Sequence, residues 1–200
     1  MIKAVVFDIG GVLCEWKEIC RKFAKESGIE AGRFLEVFTK LSLDPVTGSD
    51  LGRISLDEFF EKLSSDLGVA EKAKDWRKRF VLGYKRIEPT YKLVEELKGK
   101  FKLAILTNAK IGLWDEWKEG KLRENFEVIV DSSEEHVIKP DERIFQILLD
   151  RLKLKSEECL FIDDDEKNTQ AAEKLGFRTV HFTNVAEGVK LIRKILDETV

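Results

Sequence analysis

Histidine is almost missing from this chain. His136 and His181 are its two examples, too few for a metal centre built on imidazole. Cysteine is scarce too: Cys14, Cys20 and Cys159 form an odd, scattered set without CxxC spacing. They fit reduced intracellular thiols and exclude a disulfide framework or a thiolate zinc site. No run of about 18 apolar residues occurs, so no membrane-spanning helix is expected. A net charge of -3 leaves no basic excess for nucleic acid. Lys3 followed by apolar residues and Cys14 resembles a secretion signal superficially, but Asp8 interrupts it and no small-residue cleavage site follows. The expectation is a cytoplasmic protein, a monomer or small homo-oligomer, with no membrane or nucleic-acid partner. Internal repeats and low-complexity segments are also missing.

What is present is enough apolar material for a core: 43% of 200 residues, the size of one domain or a domain with a modest insertion. The stretch Ala4 to Leu13 (AVVFDIGGVL) reads as a strand buried on both faces, ending in Asp8 and cut by Gly10-Gly11. A carboxylate at that point lies at the carboxyl edge, where open α/β sheets bind ligands. By itself, Asp8 equally suits a turn or a helix cap.

The pattern then turns helical for about seventy residues. Ile19, Phe23 and Ala24 share one face, as do Phe34, Leu35, Phe38 and Leu41. Asp44 to Arg53 reads as a loop, and Ser55-Leu-Asp-Glu58 as a capping box opening a helix that Gly68 ends. Ala73, Trp76, Phe80 and Tyr84 mark another helix, whose aromatics read as packing. Alternation resumes near Pro89: helix Tyr91–Leu97, strand Lys102–Leu106 ending at Thr107-Asn108, a short piece Leu113–Trp117 and strand Glu127–Val130. Pro140 then suits the first position of a helix whose apolar face is Ile144, Phe145, Leu148 and Leu149. Strand Cys159–Ile162 ends in Asp163-Asp164-Asp165. A helix from about Lys167 stops at Gly176, and strand Thr179–Phe182 and helix Val185–Leu196 complete the chain.

Alternating strands and helices predict an α/β fold with a doubly wound parallel sheet. Asp8 and Thr107 are 99 residues apart, whereas a simple strand-helix-strand unit takes roughly thirty or more. The surplus predicts an all-helical domain at 15–86, inserted after strand 1 into a core of 1–14 and 87–200 and overhanging the ligand edge.

Asp8, Thr107, Lys139 and Asp163-Asp164 thus lie at strand ends or in the loops beyond them. An anionic nucleophile attacking an anionic phosphate needs its repulsion neutralised, which Mg²⁺ and a lysine can do. Mg²⁺ takes oxygen ligands and keeps several waters, so one or two carboxylates and a carbonyl suffice. A hydroxyl such as Thr107 can donate to a phosphate oxygen, and a carboxylate such as Asp8 can split hydrolysis into two steps through an acyl phosphate.

These segments, VVFDIGGVL, LAILTNA, VIKPDERIF and CLFIDDDEKNTQAAEKLG, resemble the haloacid dehalogenase-like superfamily of phosphohydrolases, in order and over the whole core. GRISLDEFFEKL in the insertion is similar to its helical-cap sequences. The resemblance implies a Rossmann-like core, a cap, Mg²⁺ and a small phosphorylated substrate. It implies that Asp8 is nucleophile and metal ligand, that the Gly10 carbonyl serves the metal, and that Thr107 and Asn108 bind the phosphoryl group. Lys139 would neutralise that group and orient Asp8. Asp164 would be the main acidic metal ligand of the last motif, Asp163 would serve the metal directly or from just behind its ligands, and Asn168 would support the metal waters. Asp165 reads as a solvated or capping residue.

One departure stands out. Phosphatases of this family usually carry an acid/base Asp two residues after the nucleophile, and here Gly10 holds that place. Losing a positioned acid/base costs about 10² to 10⁴ in rate. Glu15 is the candidate replacement, with a solvated helix-start residue as its alternative role. The missing group motivates a second reading, a phospho-ligand-binding protein without turnover. A third is a metal-independent 2-haloacid dehalogenase, which would leave Asp163-Asp164 without a purpose. A response-regulator receiver domain places its acidic pair first and its lysine last, so motif order rejects it.

Overall fold

The computed structural model describes residues 1–117 and 120–198. Strand β1 (Ala4–Phe7) is central in a five-stranded sheet of order β5-β4-β1-β6-β7, flanked by β4 (Lys102–Thr107) and β6 (Cys159–Asp163). The outer strands are β5 (Val128–Asp131) and β7 (Arg178–His181), and every pairing is parallel. Because side chains alternate across a sheet, Val5, Phe7, Ile105 and Ile162 pack on one face, and Val6, Ala104, Leu106 and Phe161 on the other. All four β1 residues are fully buried, the reason its sequence is uninterrupted apolar. The expected doubly wound α/β sheet is therefore present.

Register aligns the strand ends. Phe7 lies opposite Ile105 and Ile162, Thr107 opposite Asp131, and Asp163 opposite His181. Asp8, Thr107 and Asp163 consequently emerge on one edge.

Between β1 and β4 the chain forms β2 (Cys14–Glu15), α1 (Lys17–Glu26), α2 (Ala31–Leu43), α3 (Leu56–Asp66), α4 (Ala73–Gly83), β3 (Lys85–Arg86) and α5 (Glu88–Leu97). The β2–β3 antiparallel ladder closes the base of the helical segment, two residues a side and too short to leave a sequence pattern. Helix α3 starts at the expected capping box, with Ser55 and Glu58 bonding reciprocally. The segment's aromatics pack on one another, Phe23 stacked on Trp76 at 5.5 Å and Trp16 on Phe38 at 5.4 Å. Within the Asp44 to Arg53 loop, Ser49–Leu51 forms a 3-10 turn with Ser49 and Asp50 buried.

After β4 come the short helices α6 (Leu113–Glu116), α7 (Leu122–Asn125) and α8 (Ser132–Glu135), then α9 (Glu142–Leu152), α10 (Glu166–Lys174) and α11 (Val185–Asp197). Pro140 does not open α9. Asp141 caps it instead, its carboxylate accepting the Arg143 N–H at 2.9 Å. A side-chain acceptor on an orphan helical N–H satisfies the terminus better than a proline that merely lacks one. Asp165 caps α10 likewise, in line with its expected role.

Candidate active site

Asp8 leaves β1 at the carboxyl edge, 7% exposed. Its carboxylate meets the Lys139 Nζ at 2.9 Å. The same ammonium reaches Asp163 Oδ2 at 2.6 Å and donates to the Leu106 carbonyl at 2.9 Å. One buried cation thus holds two buried carboxylates, an arrangement that is stable only when both partners stay in place. Burial pushes the Asp8 carboxyl up to about 7, against the pull of Lys139 and with Asp163 and Asp164 adding to the rise. Burial works against the Lys139 ammonium as well, but Asp163 and Asp8 outweigh it and hold its pKa above the ordinary lysine value.

The adjacent acids differ in their surroundings. Asp163 is fully buried; its Oδ1 accepts the Asp165 N–H at 2.8 Å, and Asn168 Nδ2 lies 3.1 and 3.2 Å from its two oxygens. With Lys139 on Oδ2, both its oxygens are engaged. Asp164 borders the cavity and carries Lys17 Nζ, from the start of α1, at 2.8 Å. One oxygen from each of Asp8, Asp163 and Asp164 lies within 4.8 Å of the others. This all-oxygen set suits a hard divalent cation such as Mg²⁺.

Two glycines let the chain pass this close. Gly11 has φ +78°, and a β-carbon there would strike the Asp164 carboxylate. A β-carbon on Gly10 would sit 3.0 Å from Trp16 Nε1. Trp16 therefore covers the point from which an acid/base side chain at residue 10 would project.

The Thr107 hydroxyl, at the end of β4, is buried and has no hydrogen-bond partner among the described residues, which leaves it free to donate. Asn108 lines the cavity and also braces the loop beyond it: its Oδ1 accepts the Lys139 N–H at 2.8 Å and its Nδ2 donates to the Lys139 carbonyl at 3.1 Å. It positions the lysine loop. Glu15 is exposed on β2 and outside the cavity, so the structure does not bring it to the site. Alternation along the strand explains this, since Cys14 points inward and is fully buried.

A cavity of about 440 Å³ opens above Asp8, Gly10, Lys139 and Asp164, with Trp16, Leu35, Phe38 and Trp114 on its walls. Pattern reading missed Trp16, Lys17 and Trp114, and it also missed Lys110. The buried Lys110 ammonium lies 3.0 Å from both Asp50 and Ser42 and ties the loop after β4 to the helical segment.

Residues 2–176 match a family model described as haloacid dehalogenase-like hydrolase. Acyl-CoA dehydrogenase family member 10 of Mus musculus is 39% identical over 74 residues, 37% of this chain, which spans only 7% of that protein. Sesquiterpene phosphatase astK of Aspergillus oryzae is 26% identical over 91% of this chain and 90% of its own length. A haloacid dehalogenase-family enzyme of Bacteroides thetaiotaomicron, a variant crystallised with magnesium and inorganic phosphate, superposes with TM-score 0.70 at 24% identity, covering 90% of this chain and 93% of its own. No helix among the described residues is long and apolar enough to cross a membrane.

Proposed function

Since the chain belongs to the haloacid dehalogenase-like hydrolases, we propose that it is a Mg²⁺-dependent phosphatase acting on a small phosphorylated metabolite through an aspartyl phosphate on Asp8. The observation that carries this is the buried Asp8–Lys139–Asp163 triad set beside the unpartnered Thr107 hydroxyl. In the first step an Asp8 oxygen attacks phosphorus and the ester P–O bond breaks, the departing alkoxide taking a proton from a water molecule. Water then cleaves the acyl phosphate, releasing inorganic phosphate and returning the Asp8 carboxylate. Lys139 fixes the Asp8 carboxylate and screens its repulsion from the phosphoryl oxygens, and Thr107 Oγ1 donates to one of them. Mg²⁺, held by Asp8, Asp164 and the Gly10 carbonyl, would supply further charge neutralisation when bound. Asp163 serves by holding Lys139.

Residues 15–86 then act as a cap over a core of 1–14 and 87–200, screening the chemistry from bulk water. The buried free cysteines suit a cytoplasmic setting. Hydrolysis of p-nitrophenyl phosphate with and without Mg²⁺ tests the reading. Activity should need the metal and fall to background in Asp8→Asn; equal rates in the two proteins would overturn it.

A second reading, a phospho-ligand binder without turnover, is favoured by one observation: Trp16 stands over Gly10 and no acid replaces it from Glu15. A phosphate-ester panel separates the two. The dehalogenase alternative would leave the Asp8–Asp163–Asp164 cluster without a task, and halide release from chloroacetate in the absence of metal would be needed to support it.

A further inference from the structure

Among the described residues three ammonium groups line the cavity, those of Lys17, Lys110 and Lys139. They differ in how many of their three N–H donors are left. Lys139 uses all of them, on Asp8, Asp163 and the Leu106 carbonyl. Lys110 is 5% exposed and held between Asp50 and Ser42. Lys17 is different. Its hydrogen-bond partner among the described residues is Asp164 Oδ2 alone, at 2.8 Å, and its side chain is 41% exposed. Two N–H donors therefore stay open, on a side chain with room to move.

The position of Lys17 is unfavourable for the helix that begins there. It is the first residue of α1, where a cation opposes the positive end of the helix dipole, and Trp16 before it supplies no side-chain cap. What the lysine gains there is the acidic cluster. Asp164, which it holds, has an oxygen within 4.8 Å of one on Asp8 and one on Asp163. Asp165 and Glu166 border the same cavity and add negative charge. A phosphate dianion entering beside these carboxylates is repelled, and Lys17 is the exposed ammonium still able to donate to it.

We propose that Lys17 is a phosphoryl-binding residue carried by the helical segment, its ammonium passing from Asp164 to a phosphoryl oxygen when phosphate and Mg²⁺ are in place. The proposal rests on the phosphatase reading, which puts the phosphate beside Asp8. Two effects of opposite sign follow. Lys17 strengthens phosphate binding through a charge-assisted hydrogen bond. The same ammonium weakens Mg²⁺ binding, because it competes for the Asp164 carboxylate.

Lys17→Met removes the charge at similar length, and Lys17→Arg keeps the charge. Phosphate affinity would be measured by calorimetry at saturating Mg²⁺, and Mg²⁺ affinity without phosphate by competition against Mn²⁺ in EPR. In Lys17→Met the phosphate dissociation constant should rise about tenfold, the scale of a hydrogen bond to a charged group. The dissociation constant for Mg²⁺ should fall by about two- to fivefold, the scale of a partly exposed ion pair. Lys17→Arg should stay near wild type in both. A merely structural role for Lys17 would weaken both ligands together in Lys17→Met, and that outcome overturns the proposal. Unchanged phosphate affinity in Lys17→Met also overturns it and leaves the phosphatase reading in place. If the wild type binds no phosphate in the presence of Mg²⁺, both are overturned.

Discussion

The Trp16 indole nitrogen stands 3.0 Å from where a β-carbon on Gly10 would lie, and the ring behind it is stacked on Phe38. Reintroducing an acid/base by Gly10→Asp should therefore disturb Trp16 before it helps the chemistry. We expect Gly10→Asp alone to lower the melting temperature and to leave kcat no higher. Combined with Trp16→Ala, the same Asp gains room. The double variant should then turn over alkyl phosphates, whose alkoxides need a proton, faster than Trp16→Ala by up to about 10²-fold. With p-nitrophenyl phosphate, whose leaving group needs no acid, the two should differ little. Equal gains on both substrates would rule out proton transfer as the source.

Lys139 is nearly inaccessible and holds Asp8 and Asp163 together. Lys139→Met would leave two buried carboxylates facing each other. Breaking such a pair from one side costs about 3–5 kcal/mol. Urea unfolding in EDTA at neutral pH should show a loss of that order, partly restored when Asp163→Asn is added. Activity should stay lost in both. An unchanged midpoint for Lys139→Met would mean the site's charges are far better hydrated than their burial indicates.

Lys110 makes a separate link, bonded to Asp50 and Ser42 and placed 4.6 and 4.5 Å from the Phe38 and Phe59 ring centres. Both charged partners are buried. A double-mutant cycle with Lys110→Met and Asp50→Asn should give a coupling energy of about 0.5–3 kcal/mol, the double variant being less destabilised than the sum of the two single ones. Strict additivity would show that the tie contributes nothing to holding the helical segment on the sheet.

The parallel sheet and the strand-end residues were legible because each rests on local order. Apolar runs such as AVVF, LAIL and CLFI stop at a polar residue, and register then brings Asp8, Thr107 and Asp163 to one edge. What could not be read depends on contacts between distant segments. Trp16 over Gly10 requires the β2–β3 ladder to turn the chain back, and that ladder is two residues long. Lys110 looks like a solvated lysine until Asp50 and Ser42 meet it from 60 and 68 positions away. Glu15 was a reasonable acid by proximity along the chain, but strand alternation sends it outward. Asn108 lines the cavity as its position after β4 suggests, but its second task, bonding both the N–H and the carbonyl of Lys139, depends on a loop 31 positions away.

Asp131, at the end of β5, gives a pH test outside the Asp8–Asp163–Asp164 cluster. Burial pushes its carboxyl up from 3.8 to about 6, although hydrogen bonds from the Ser133 hydroxyl and N–H pull the other way. A carboxyl whose pKa is higher folded than unfolded favours the fold most when protonated in both states, below the unfolded value. As pH rises from about 4 to about 6 the unfolded chain releases its proton first, and stability falls by about 1.4 kcal/mol per pH unit. Above that window the loss is complete. Asp131→Asn removes the titration while keeping an acceptor for the Ser133 N–H at the start of α8. The variant should therefore be more stable than wild type at pH 8, by on the order of 3 kcal/mol. The difference should shrink toward zero below pH 4. Urea unfolding of both proteins from pH 4 to 8 measures it. A difference independent of pH would mean that Asp131 is ionised throughout and that its burial does not set its charge.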